Sequence, residues 1–275
     1  MATLAGAPVA RNPRVDHLSG TPRAGFIDRW IYVFTAASFI VIVLTGFIPD
    51  SITKVGMIQA GARPPFPTVL HFHAVLMGSF LLLLLTQTIL VATGRCALHR
   101  RVGIAAFVLV PALVVVGLIL VPTMYYQTWN ALQAAPASAR AALQEVLGIR
   151  EDIMLLQLRV GILFPLFIGI ALAARGKNAG IHKRMMLLAT AMPLPAAWDR
   201  IAWIPSTMPF SPLSTDLYVL LSVAPMFVWD VFRNRSVHPA YLIWIGINLP
   251  CALAVDALWG TPAWHSAAKQ LLGVG

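Results

Sequence analysis

The sequence is poor in charge, poorer still in acid, and almost without cysteine. Only 11% of its 275 residues are Asp, Glu, Lys or Arg, against about 25% in a soluble domain, and no stretch is polar for long enough to make a soluble domain of its own. Cys96 and Cys251 are the only cysteines; one falls in a polar loop and the other in an apolar span, which argues against a disulfide and leaves the redox compartment open. There is no phosphate-binding glycine loop, no H-E-x-x-H, no C-x-x-C and no G-x-S-x-G, so the usual signatures of nucleotide, zinc-protease, thiol-redox and α/β-hydrolase chemistry are missing. Residues 1–28 are polar, with Pro, Gly and Arg and no apolar centre, and do not read as a cleavable signal peptide.

What is abundant is apolar length. Hydrophobic residues make up 59% of the chain, and a bilayer core needs about 20 of them in a row. Seven stretches qualify: 30–48, 67–92, 102–123, 153–174, 184–204, 215–232 and 239–259. The expected fold is all-α, a polytopic membrane bundle of about seven transmembrane helices. It divides into an N-terminal segment 1–28, a bundle 29–259 and a tail 260–275. Basic residues cluster on alternate sides: Arg11, Arg14, Arg23 and Arg29, then Arg95, Arg100 and Arg101, then Arg175, Lys177, Lys183 and Arg184, then Arg233 and Arg235. The opposite side has only Lys54, Arg63, Arg140, Arg150 and Lys269. The positive-inside rule makes the first set, and the N-terminus, cytoplasmic and the C-terminus extracytoplasmic. The net charge of +10 is then a topology signal and not a nucleic-acid footprint. Segment 127–152 reads as one long extracytoplasmic connector, with a short interfacial helix opening at Ser138.

A candidate tandem repeat of helical hairpins joins the second and third stretches to the fourth and fifth. Gly94-Arg95-Cys96-Ala97-Leu98-His99-Arg100-Arg101 turns the first hairpin, and the segment Arg175 to Arg184, ending His182-Lys183-Arg184, turns the second. With His71-x-His73-Ala74 before them and Asp199-Arg200 after, these elements resemble a group of bacterial integral membrane proteins of unknown function. The resemblance covers roughly residues 67–204. It implies a multi-pass protein of the bacterial inner membrane and places the motifs without naming a reaction. Gly103, three residues after Arg100, fits the pattern; the tyrosine that often follows in the group is absent.

Two polar constellations carry the chemistry. On the cytoplasmic side, His99 with Arg100 and His182 with Lys183 sit at similar depth. Facing imidazoles can ligate haem b, with the adjacent cations on its propionates; His73 is a third ligand candidate. The plainer account is a set of basic helix ends that meet lipid phosphates. On the outer side, Arg159 lies about six residues, or roughly 9 Å, into its stretch, and Asp199 and Arg200 follow Pro193 and Pro195 near the end of theirs. Ionisable groups at such depth cost several kcal/mol unless paired and mark functional sites by default. Arg159 and Asp199 are natural partners on neighbouring antiparallel helices. His71 and His73 are metal-ligand candidates, although positions i and i+2 of a helix point about 200° apart and cannot easily share one ion.

Three readings follow. The leading one is a membrane redox protein that holds haem b and meets a membrane redox partner. For a second haem at the outer leaflet, the missing ligand would be His265, which can serve only if the tail folds back. The alternative is an enzyme or carrier for a lipid-like amphiphile, with Arg159 or Arg200 on an anionic headgroup and His71 or His73 as acid/base or metal ligand. The third is a non-catalytic accessory subunit whose buried pairs hold helix register.

Overall fold

The computed structural model describes residues 16–19 and 24–275, and every regular element among them is helical. Most of the N-terminal segment 1–28, including Arg11, Arg14 and Arg23, lies outside the described residues. In chain order the helices are α1 (Phe26–Gln59), α2 (Thr68–Ala92), α3 (Cys96–Val102), α4 (Ala106–Ala134), α5 (Ala137–Ala174), α6 (Ala179–Ala191), α7 (Pro195–Trp198), α8 (Leu213–Asn234), α9 (Pro239–Leu258) and α10 (Pro262–Leu271). Local chemistry starts several of them. The Asp28 carboxylate accepts from the Gly25 N–H at 2.8 Å, Asn178 Oδ1 accepts from Ile181, and Thr261 caps α10 ahead of Pro262.

Six runs are long and apolar enough to cross a membrane: α1, α2, α3 continued by α4, α5, α8 and α9. Large side chains such as Val41, Val75, Val108, Leu118, Ile162 and Val228 are more than 60% exposed along these runs. In water that would be untenable; in lipid it is the expected outer surface.

The stretch 184–204 departs from the expected single span. α6 ends at Ala191 and α7 has four residues, because Pro193 and Pro195 lack the N–H groups that would continue the ladder. The broken segment still joins the two ends of the bundle: Arg184 pairs with Asp230 near the end of α8, whereas Arg200 pairs with Asp50 late in α1. It is also the bundle's most enclosed part, with Met185, Leu187, Leu188, Ala189, Met192 and Leu194 all at most 1% exposed. Against it α1 comes so close that a Cβ on Gly46 would stand 2.2 Å from the Ala197 carbonyl oxygen. Only glycine fits there.

The connector expected over 127–152 is helix on both sides of a tight turn at Ala135 and Pro136, and the helix expected to open at Ser138 is the first part of α5 rather than a separate short one. α5 has 38 residues, about 57 Å at 1.5 Å per residue, whereas a hydrocarbon core is about 30 Å thick. The α4–α5 hairpin therefore stands clear of the apolar slab. The tail folds back onto it. Gly260, at φ +68°, reverses the chain, and α10 docks on α5 with Trp264 Nε1 donating to the Glu151 carbonyl at 2.7 Å.

Candidate functional site

The end of the bundle where α6 begins holds a connected polar network. Arg184 is wholly buried; it grips Asp230 with two hydrogen bonds and Asp16 with two more. Asp230, also wholly buried, accepts in addition from Tyr241 Oη at 2.9 Å and Asn234 Nδ2 at 2.7 Å. Four donors on two carboxylates meet the demand of a buried guanidinium, whose desolvation would otherwise cost several kcal/mol. The Tyr32 hydroxyl at this network is buried without a partner among the described residues. His238, which caps α9 by accepting from Ala240, is held down to about 4 by its burial and by the Arg184 charge, so it stays neutral.

Beside this network His99 and His182 meet. Their ring centres are 6.3 Å apart with planes at 78°. They come from α3 and α6, so the sequence expectation that the two hairpins present facing imidazoles corresponds to a real contact. Each Nδ1 is engaged. His182 Nδ1 lies 2.8 Å from the Ala171 carbonyl, which can only accept, so this nitrogen carries the proton and Nε2 is left with a lone pair. His99 Nδ1 faces Gln87. That amide satisfies all its neighbours when its oxygen accepts from Gly103 N–H at 2.9 Å and its nitrogen donates to the His99 carbonyl and to Nδ1. In neutral His99 the proton then sits on Nε2. One imidazole offers a donor and the other an acceptor.

For haem b the fit is partial. Two imidazoles across one metal ion, each bonded at about 2 Å, place their ring centres roughly 6 Å apart, and the spacing meets that. The tautomer that Gln87 imposes on His99 does not. Of the expected propionate partners, Lys183 is committed to Asp16 at 3.0 Å and lies over the Tyr32 ring, and Arg100 is exposed. Among the described residues no group of three or more His, Cys, Asp or Glu side chains is placed to hold a metal ion. His71 is exposed and packs edge-on against Phe66; His73 is half-buried, with Nδ1 unpartnered among the described residues.

The outer residues are rearranged from the sequence expectation. Arg159 is buried and makes its bidentate pair with Asp216 on α8, not with Asp199. Asp199 is exposed on the far side of the α6–α7 break. Arg200 binds Asp50 at 3.3 Å and stacks over Phe47. The three do not form one site.

No protein-family model matches the chain, and neither does any curated protein or solved structure. The chemistry rests on the geometry alone.

Sequence reasoning missed Asp230, Tyr241 and a second cluster on the projecting hairpin. There His265 lies between Glu151 and Asp152, with Nδ1 on Glu151 and Nε2 3.2 Å from Asp152, while Tyr125 Oη donates to Glu151 at 3.0 Å. With both ring nitrogens taken, His265 offers no free lone pair to an iron. The Arg150-Glu151-Asp152 run was visible as three charges beside an apolar stretch. His265 was named only as a haem ligand that needs the tail to fold back; its pairing with Glu151 and Asp152 carries no local signal.

Proposed function

We propose that this is a multi-pass membrane protein that handles protons, and that the exchange site is the His99–His182 pair at the face we take as cytoplasmic. The observation that carries the reading is the complementary pair of tautomers: a donor on one imidazole and an acceptor on the other, each fixed from behind by Gln87 or by the Ala171 carbonyl. A proton taken up on the free Nε2 of His182 makes an imidazolium that can return it to water, and His99 can accept it at Nε2 once Gln87 turns over and His99 carries its own proton on Nδ1, a use of histidine known from membrane pumps. A polar interior supports it. Tyr241, Trp244 and Asn248 are buried on one face of α9, and Trp244 Nε1 and Asn248 Oδ1 have no partner among the described residues, so the inside of the bundle can take up polar groups or water.

The test is proton flux into proteoliposomes loaded with a pH-sensitive dye after a pH jump. His99→Gln and His182→Gln should each slow flux at least tenfold while the protein elutes and melts like the parent. Parent-like flux in both variants would sink the reading. A second reading, haem iron between the same rings, draws on the 6.3 Å spacing and requires His99 to change tautomer and Gln87 to turn over. A visible spectrum of the same preparation, oxidised and then dithionite-reduced, separates the two: a sharp reduced α-band with stoichiometric iron selects the haem.

A further inference from the structure

The projecting hairpin and the tail that folds back on it enclose a cavity of about 380 Å³, within the roughly 300–1,000 Å³ of small-molecule sites. Three helices each give it one stripe at helical spacing: Trp129, Leu132 and Gln133 from α4, Gln144, Leu147 and Glu151 from α5, and His265 with Lys269 from α10. The stripes meet because α10 runs antiparallel to α5. Gly260 N–H donates to Asp152 at 2.9 Å, and five residues later the His265 ring lies against Glu151 and Gly148.

The cavity has two poles. At one, Glu151 is only 1% exposed, and its two carboxylate oxygens take one partner each, Tyr125 Oη and His265 Nδ1. A carboxylate has about four lone-pair sites, so capacity remains. At the other pole stands Lys269, one helical turn or about 6 Å further along α10, with no carboxylate partner among the described residues. The exposed carboxamides of Gln133 and Gln144 share the lining of the cavity with it. Arg140, which also lacks a carboxylate partner among the described residues, donates to the Ala135 carbonyl and does not line the cavity. The rest of the lining is apolar: Leu132 and Leu147 are buried, and the Trp129 ring stacks on Tyr125 at 6.4 Å. A free anion drawn to Lys269 meets the Glu151 charge, and a free cation drawn to Glu151 meets Lys269. A molecule with both charges satisfies both. We propose that the cavity binds a small zwitterion, an amino acid or dipeptide with an apolar side chain. Its ammonium joins Glu151, its carboxylate joins Lys269, and its side chain lies among Trp129 and the two leucines. The inference stands independently of the imidazole pair.

Purified protein in detergent is titrated calorimetrically with L-leucine, L-phenylalanine and the dipeptide Leu-Leu. N-acetyl-leucine and leucinamide, which lack the ammonium and the carboxylate respectively, are titrated beside them. The expected result is saturable binding of at least one zwitterion, with both capped compounds at least tenfold weaker. Lys269→Met should weaken zwitterion binding by a similar factor while the protein melts like the parent, and Lys269→Arg should retain part of it. These variants leave the Glu151–His265 contact in place, so a loss in Lys269→Met reads the site and not the docking of α10. Three outcomes overturn the proposal: a capped compound that binds as tightly as leucine, undiminished binding in Lys269→Met, or no binding of any of the three zwitterions to folded protein.

Discussion

At the residue scale the decisive fact is that the most buried cation and the most buried anions solve each other's problem. Arg184 and Asp230 are both inaccessible to solvent, so each is tolerable only through the other. Asp230→Asn keeps the shape and the Tyr241 and Asn234 contacts nearly intact but leaves Arg184 short of charge. We expect it to cost about 3–5 kcal/mol, the range for breaking a buried pair. A paired Arg184→Met/Asp230→Leu protein should recover much of that loss, because apolar replacement of both partners removes the desolvation penalty along with the attraction. Denaturant or thermal melts of the three proteins in one detergent measure it; an Asn variant as stable as the parent would mean that Asp16 alone suffices for Arg184.

At the element scale the sequence was legible where the helix was continuous and failed where it was not. Apolar length marked α2, α8 and α9 closely, because a bilayer imposes a length and little else. It undercounted α5, whose first fifteen or so residues were read as a connector with its own short interfacial helix; they continue into the span as one helix and contact α4 and α10. It also merged α6 and α7, since Pro193 and Pro195 lie inside one apolar stretch, 184–204. The His99–His182 contact was foreseen because both motifs sit just after a hairpin turn at the same depth. The Arg159 partner was misassigned because depth alone cannot choose between two antiparallel neighbours: Asp199 and Asp216 both lie near the outer end, and the α6–α7 break turns Asp199 outward. The close approach of α1 to that break depends on Gly46. Gly46→Ala must push α1 from the Ala197 carbonyl, an overpacking that costs about 1–3 kcal/mol. Melting should show it, and Gly246→Ala, at a position with nothing within 4 Å of the added carbon, should not.

At the scale of the whole molecule, six apolar runs and seven passages of the chain make different predictions. If the broken α6–α7 segment crosses with the others, the ends of the described chain lie on opposite sides of the membrane; if it does not, they share a side. Cys96 offers a direct reading, being exposed at the start of α3, while Cys251 is half-buried in α9. In a Cys251→Ala protein carrying a new cysteine at Gly275, a membrane-impermeant maleimide added to intact spheroplasts should label the C-terminal cysteine and spare Cys96. Inverted vesicles should give the reverse. Labelling of both cysteines from one side would remove the seventh passage.

The placement of α6 also bears on how the chain is assembled. It begins at Ala179, has only 13 residues and carries Lys183 and Arg184 in its second turn, and a Lys or Arg in an inserting helix costs up to about 2.5–3.5 kcal/mol, its value at the bilayer centre. The segment on which the bundle is packed is thus the one least able to enter a bilayer unaided. Of its two counter-charges among the described residues Asp16 comes earlier, but Asp230, the wholly buried one, is made more than forty residues later, on α8, and Tyr241 later still. During synthesis Arg184 has only the partly exposed Asp16 as counter-charge, at the interface or beside the translocation machinery, until α8 arrives. The buried charge network of this protein is therefore completed only late in synthesis, and a chain that stops before Asp230 should be recognised as unfinished and degraded.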